Sequence, residues 1–345
     1  MLAQRQGLAY DYAKNPSFFG NYSTVLVTNI SKFIPPADVA SDLFVVWVCD
    51  ADFVLDMNGS ISPYSNLSAW NNAIALSLTN HYSIITNLYA KGVRTLILPN
   101  AVDITEVPYY NGNSASDKLF IRGRCNYFNT NLIALFNQMQ KLHPDLKIYM
   151  PDIFSLLDNA LTNAASYGLT NPLVNGHITY ATSYYGTQAA TNGLGTNFVF
   201  WDYMNPSAQM HEVVADTVQQ MISPVQISSL AQINGSNQLN IVNMPVGLNG
   251  YLDGSTNLAQ TSNWTLVTNF NSTSTAQSIF VVTPPLPAGF GVGGSGGSGG
   301  LSGPPIPGQG SGSGSGSGSS QTTTFNSQVA VQFYRLRFPY AWNWP

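Results

Sequence analysis

Residues 198–211 read FVFWDYMNPSAQMH, and this stretch constrains the fold and the chemistry of the chain more than any other. Its apolar start predicts a short buried strand at 198–201, and the amphipathic segment at 206–222 predicts a helix. Asn205 followed by Pro206 is a typical helix entrance, which predicts Asn205 as the N-cap. The stretch has the form of a catalytic acid–base block that contains the acid Asp202. Its base is replaced, because Asn205 has no titratable nitrogen.

Two kinds of pattern alternate upstream of this stretch, in residues 1–222. Continuous apolar runs predict strands covered on both faces, at 43–48, 93–98 and 146–150. Apolar residues at helical spacing predict helices at 70–90, 128–142 and 152–165. This alternation predicts an α/β domain, in which a parallel sheet carries helices on both faces.

The pattern changes after residue 222. Short runs typical of β-strands lie between Asn, Gly and Ser turns, at 239–242, 264–267, 279–282 and 334–338. Residues 288–320 form a Gly/Ser/Pro-rich tract that is expected to be a flexible loop or linker. The expected domains are therefore 1–222 and an antiparallel β-sandwich module made of 223–287 and 321–345.

The composition narrows the classes of partner. Charged residues are 8% of the 345 residues, the net charge is −4 and no basic run occurs, so nucleic acid is not an expected partner. No apolar run approaches the roughly 18 residues needed to span a membrane. Low charge with many hydroxyl and amide side chains favours a secreted or cell-surface protein, although no signal peptide begins at Met1.

Cofactor chemistry is not predicted. Cys49 and Cys125 do not make a disulfide framework, and they either pair or are isolated buried thiols. None of the four histidines has a partner at metal-ligand spacing, so no metal site is expected.

The segment that ends in Asp202-x-x-Asn205-Pro206 resembles the last conserved block of the SGNH/GDSL hydrolases, Asp-x-x-His-Pro. The likeness is greatest to the acyl-hydrolase branch near the thermolabile haemolysins, in which Phe-x-Phe-Trp-Asp-x-x-His-Pro is typical. The resemblance covers roughly 1–222 and implies a flavodoxin-like parallel sheet and ester hydrolysis through an acyl-serine intermediate. It implies that Asp202 is the triad acid and that Asn205 occupies the position of the family histidine.

The family's other blocks are matched only in part. Gly20 stands where the family places a glycine that donates to the oxyanion, and a turn glycine is the alternative. At 46–53, Ala51 takes the place of the family's oxyanion asparagine and Cys49 that of a glycine. Asp52 matches the last residue of that block, with a loop-capping acid as the alternative. The Gly-Asp-Ser block is not found, so the resemblance implies a domain truncated at its N-terminus, with the first strand and the nucleophile missing.

Among the four histidines, His177 is the best placed to replace the missing base. His211 lies well along the predicted helix, and His177 lies in a predicted loop that is near enough to reach the site. His81 and His143 are predicted as a helix residue and a helix-end residue.

The expected function is that of an esterase- or lipase-like acyl hydrolase that is inactive or strongly impaired, with a small ester or acyl lipid as substrate. The alternative is a non-catalytic cell-surface protein that binds glycan or lipid or has a structural role. The C-terminal module resembles a β-sandwich appended to many secreted bacterial enzymes, for example in its run 333–337, FYRLR. Glycan binding by that module is a further expectation.

Overall fold

The computed structural model describes residues 1–7, 22–234, 236–255, 264–282, 321–323 and 333–338. The predicted tract 288–320 and the candidate Gly20 lie outside these residues. The chain divides into two compact units, with the main boundary between Ser223 and Pro224. A short helix, α1 (Leu2–Arg5), stands near the start of the chain.

The first unit is a mixed α/β structure. Its longer helices are α2 (Ser23–Lys32), α3 (Cys49–Met57), α4 (Leu67–Ala90), α5 (Ala115–Leu142), α6 (Ile153–Thr162) and α9 (Ala208–Ile222); α7 (Ala181–Tyr185) and α8 (Thr187–Asn192) are short. Its strands are β1 (Leu43–Val45), β2 (Thr95–Ile97), β3 (Lys147–Tyr149), β4 (Leu173–Val174) and β5 (His177–Ile178). Single 3-10 turns lie at Val39–Ser41, Ile104–Glu106, Pro108–Tyr110 and Ala164–Tyr167.

Strands β1, β2 and β3 form a parallel sheet in that order. Phe44 is in register with Leu96, and Leu96 with Ile148. The prediction of a parallel sheet from alternating strands and helices is therefore confirmed, with strands shorter than the apolar runs that predicted them. β1 is an edge strand among the described residues, and its Val45 is 55% exposed.

An aromatic cluster fills the core beside the sheet. The rings of Phe53 on α3, Trp70 on α4 and Phe128 on α5 are fully buried, with centroids 5.6 Å apart for Phe53–Trp70 and 5.0 Å for Phe53–Phe128. Helix α5 begins thirteen residues before the predicted start at 128, because Ser114 caps it by accepting from the N–H of Asp117 at 3.1 Å. The first half of α5 has many polar side chains, so its apolar stripe is not recognisable in the sequence.

A buried ion cluster joins α5 and α6. The guanidinium of Arg122 donates to Asp103 and to both oxygens of Asp158, and it stacks over the ring of Phe154 at 4.6 Å. Asp103 is fully buried, whereas the side chains of Arg122 and Asp158 are about one-third exposed. A charge as deeply buried as that of Asp103 requires such a partner.

The second unit is built from two separate sheets. The strands are β6 (Gln226–Ile233), β7 (Ser236–Val242), β8 (Asn249–Ser255), β9 (Thr265–Asn271), β10 (Ala276–Val282), β11 (Gln321–Thr323) and β12 (Phe333–Arg337). The sheet orders are β11-β10-β7-β6 and β12-β8-β9, and every pairing is antiparallel except β10 with β11. One hydrophobic cluster contains Ile241 and Ile279 of one sheet and Leu252 and Phe270 of the other.

Two further sequence expectations have an outcome in the fold. Cys49 and Cys125 are both free and buried, so the two thiols do not pair. No helix among the described residues has the length and apolarity to cross a bilayer.

Candidate functional site

Residues 201–206 fold into a tight turn, which we call the Asp202 turn. The backbone N–H of Trp201 donates to the carbonyl of Asn205 at 2.8 Å, and Phe200 bridges to Pro206. The prediction of a strand at 198–201 is wrong: Phe198 and Phe200 make only isolated bridges, because the chain turns back on itself instead of joining the sheet.

The carboxylate of Asp202 is held by hydrogen bonds from within the turn. Its Oδ1 accepts from the backbone N–H of Met204 at 2.8 Å and of Asn205 at 2.7 Å. The side-chain Nδ2 of Asn205 donates to both oxygens, at 3.1 Å for Oδ1 and 2.9 Å for Oδ2. Partial burial acts to raise the pKa of Asp202, but these hydrogen bonds outweigh burial and hold the pKa below its usual value. Asp202 is therefore an ionised acceptor.

Asn205 does not cap the helix that follows it. Helix α9 begins at Ala208, and its N-cap is Ser207, whose Oγ accepts from the N–H of Met210 at 3.1 Å. The prediction of Asn205 as the N-cap is wrong because its side chain is turned back onto Asp202. The serine two residues later supplies the capping oxygen instead.

Ala51 and Asp52, the other candidates from the sequence, lie on the first turns of α3. The methyl group of Ala51 cannot donate a hydrogen bond to an oxyanion. Asp52 is buried, and its Oδ1 accepts from the N–H of Ser23, the first residue of α2, at 2.8 Å. This geometry is that of an acid that caps a neighbouring segment, which was the alternative interpretation of Asp52.

Asp52 also belongs to a buried Asp–Ser–His cluster. The hydroxyl of Ser77 donates to Asp52 at 2.5 Å, and Nδ1 of His81 lies 3.5 Å from that hydroxyl and 2.7 Å from the carbonyl of Ser77. A catalytic triad places the imidazole between the carboxylate and the serine, whereas here the serine lies between the other two. All three side chains are buried, and burial lowers the pKa of His81. The cluster is a packing network of α3 and α4.

Asp50 is the acid that the sequence analysis passed over. Its Oδ1 accepts from the N–H of Val102 at 2.9 Å, and its Oδ2 accepts from the indole of Trp47 at 2.7 Å. Burial raises the pKa of Asp50 to about 6, against the effect of these two hydrogen bonds. Its position after an apolar run that predicts a strand of a parallel sheet was the available signal, because ligands of such sheets bind beyond the carboxyl ends of the strands.

The loop that follows β2 contacts both groups of candidate residues, those at the start of α3 and those in the Asp202 turn. Val102 in this loop binds Asp50 at the start of α3, and the N–H of Tyr109 donates to the carbonyl of Tyr203 in the Asp202 turn at 3.0 Å. The two regions therefore share the carboxyl side of the sheet. Among the described residues, no hydrogen bond joins the Asp202–Asn205 pair to α3.

Replacing Asp50 with asparagine is expected to flatten the pH dependence of stability between about pH 4 and pH 6. The folded protein holds the proton of this carboxyl group more tightly than the unfolded chain, in which the pKa of the group is 3.8. Below the unfolded-state pKa, Asp50 makes its whole contribution to the free energy of unfolding. This contribution, up to about 3 kcal/mol, is lost as the pH rises through the folded-state pKa.

Urea unfolding at pH 4.5 and pH 7 measures this effect. Between the two pH values, the wild-type chain should lose more free energy of unfolding than Asp50→Asn does. Parallel pH profiles for the two proteins would contradict a raised pKa at Asp50.

The remaining candidates lie elsewhere in the described structure. His211 is on α9, His143 follows α5 and stacks on Tyr89 at 3.9 Å, and His177 lies on β5 rather than in a loop. None of the described histidines hydrogen-bonds to Asp202. Across the described ranges, no group of three metal-ligating side chains converges.

The cysteine thiols are also unsuited to act as nucleophiles. Burial raises the pKa of Cys125 to about 12 and raises that of Cys49 well above its usual value. Because the thiolate is the reactive form, both thiols are inert near neutral pH.

Comparison with known proteins leaves the site to be judged on its own geometry. No protein-family model matches the chain, and no curated protein shows significant sequence similarity to it.

Proposed function

We propose that the first unit is an SGNH/GDSL-type hydrolase scaffold of flavodoxin-like topology that has little or no esterase activity in this chain. The observation that carries the proposal is the pair formed by Asp202 and Asn205. The amide of residue 205 donates to the carboxylate of residue 202 at 2.9 and 3.1 Å. This is the bond that the Nδ1–H of a catalytic imidazole makes to its orienting aspartate. The scaffold thus retains the acid and its donor and lacks the base.

The proposed ligand is a small ester or an acyl lipid, and the proposed location is the cell surface or the exterior. Turnover of such a ligand needs a nucleophile, a base and oxyanion donors. Asn205 and Ala51 stand at two of those positions and can supply neither the base nor the side-chain donor. In another serine hydrolase, loss of the serine or the histidine costs about a millionfold in turnover.

We expect that the purified chain does not hydrolyse p-nitrophenyl acetate or butyrate above a protein blank. A fluorophosphonate probe, which phosphonylates activated serines with loss of fluoride, should leave no stoichiometric adduct in intact-mass spectra. Asp202→Ala serves as the matched control, because an activity that used this site would fall in that variant. Stoichiometric labelling of a serine in the folded chain would refute the proposal.

A second candidate function is non-catalytic binding of glycan or lipid, and exposed tyrosines around the Asp202 turn favour it. The ring of Tyr203 lies 5.7 Å from that of Tyr109 and 6.4 Å from that of Tyr180, and the first two rings are about half exposed. Exposed aromatic patches commonly mark binding surfaces. Saturable binding of a glycan that is lost in Tyr203→Ala would support this candidate over a decayed enzyme, whose proposed ligand is an ester or an acyl lipid.

A further inference from the structure

A concave surface lies in the first unit, outside the Asp202 turn. A groove of about 640 Å³ is lined by residues of 161–172, by Tyr184 and Tyr185 at the end of α7, and by Asn197 and Phe198. We call it the Tyr184 groove. Its volume falls within the range of roughly 300–1,000 Å³ that is usual for small-molecule sites, but the groove is largely open to solvent and would cover only one side of a ligand.

Three aromatic rings form one wall of the Tyr184 groove. The centroids of Tyr184, Tyr185 and Phe198 lie 5.0 to 5.6 Å from one another. Phe198 is buried beneath, whereas Tyr184 is 54% exposed. A large aromatic side chain left half in water beside a cavity provides an apolar face on which a ligand can stack.

The rest of the lining is uncharged and mixes Leu, Ala and Pro residues with four polar side chains, those of Thr162, Thr170, Asn171 and Asn197. The groove contains no Asp, Glu, Lys, Arg or His among its lining residues. Thr162 donates its hydroxyl proton to the carbonyl of Asp158 at 2.8 Å, which leaves its oxygen able to accept. Asn171 donates from Nδ2 to the carbonyl of Leu161 at 3.0 Å, and its Oδ1 has no hydrogen-bond partner in the described structure. An unpartnered buried amide oxygen costs about 1–3 kcal/mol, and a rotation of the side chain that exposes this oxygen to the groove would let a ligand hydroxyl recover that cost.

This chemistry selects among classes of ligand. A cation would find no carboxylate, an anion would find no basic group, and an acyl chain would leave the amides and hydroxyls of the lining without water or partners. A neutral saccharide presents a C–H face to an aromatic ring and hydroxyl groups to amides and threonines. We propose that the Tyr184 groove binds a neutral saccharide, stacked on Tyr184 and hydrogen-bonded to the side chains of Asn171 and Thr162. This proposal does not depend on the hydrolase scaffold proposed above.

Calorimetric titration of the full chain with maltose, cellobiose, lactose and chitobiose tests the proposal. At least one of these neutral disaccharides should bind saturably. Tyr184→Ala should weaken that binding about tenfold, whereas Tyr184→Phe should retain it within about twofold, because stacking does not need the hydroxyl. Trp201 packs against the cluster that contains Phe198, so a change in tryptophan fluorescence should accompany binding.

The matched control is Tyr127→Ala, since Tyr127 is also half exposed but lies on α5, outside the groove. Circular dichroism establishes that each variant is folded. The proposal is overturned if no disaccharide binds the folded chain, if Tyr127→Ala weakens binding as much as Tyr184→Ala, or if decanoate binds in a Tyr184-dependent way and the sugars do not. None of these results bears on the fluorophosphonate test, so the two proposals fail independently.

Discussion

Esterase activity is expected to appear when the chain carries Asn205→His and an added N-terminal strand that ends in Gly-Asp-Ser. The carboxylate of Asp202 already accepts from the side chain of residue 205 through both oxygens. An imidazole at that position would donate its Nδ1–H to the same carboxylate and leave Nε2 free to accept from the serine. Asp202→Ala in this background should then lower turnover by roughly a thousandfold or more.

The same experiment can be extended by restoring a hydrogen-bond donor to the oxyanion at position 51. Adding Ala51→Asn should raise turnover by roughly a hundredfold, because it restores one donor to the developing negative charge. The control has Gly-Asp-Ala in the added strand and should be inactive. A folded protein with all the substitutions but no hydrolysis of p-nitrophenyl butyrate, or with activity indifferent to Asp202, would contradict the hydrolase scaffold.

Replacing Arg122 with methionine is expected to lower the free energy of unfolding by about 3–5 kcal/mol. The substitution leaves Asp103, which is fully buried, without a cation. The length and apolar character of methionine keep the packing over Phe154, so the loss reports chiefly on the charge. Denaturant unfolding followed by circular dichroism measures it, and adding Asp103→Asn should recover part of the loss.

Arg94→Met is the matched control for Arg122. Arg94 also pairs with an aspartate, Asp145, at 2.7 Å and stacks on a ring, that of Tyr89, at 4.3 Å. The difference is burial, because the side chain of Asp145 is 54% exposed. An exposed pair contributes about 0–1 kcal/mol, so this variant should unfold almost like the wild type. Equal losses in the two variants would show that burial of Asp103 does not set the effect.

Much of the first unit follows from its sequence patterns. The apolar runs around Phe44, Leu96 and Ile148 predict the three strands of the parallel sheet, because runs without polar alternation are typical of parallel strands. The burial expected from such runs is found in β2 but not in β1, whose Val45 is 55% exposed. The helical spacing of the apolar residues that follow Trp70 predicts α4, because such spacing places them on one face of a helix. The first half of α5 could not be predicted in this way, since its start depends on the side chain of Ser114 as a cap.

The candidate site is only partly visible in the sequence. The motif around Asp202 predicts that the side chains of residues 202 and 205 lie next to each other. In the structure, Asn205 donates hydrogen bonds to Asp202. The motif also favours a helix that starts at Pro206, and this fails because the side chain of Asn205 donates to Asp202 instead of accepting from the N–H groups of the first helical turn. The raised pKa of Asp50 depends on burial that only the folded chain provides, and this burial outweighs the hydrogen bonds from Trp47 and Val102. The Tyr184 groove likewise joins segments that are distant in sequence.

The most direct test of the central claim is the pKa of the imidazole introduced by Asn205→His, measured by NMR in the full chain without other changes. The central claim is that Asp202 is positioned to orient a side chain at position 205. An ionised carboxylate in hydrogen-bond contact stabilises the protonated imidazole, so its pKa should lie above the usual value of about 6.5 by roughly one unit or more. The shift should disappear when Asp202→Asn is added. An imidazole whose pKa is near 6.5 and is unchanged by Asp202→Asn would contradict the account.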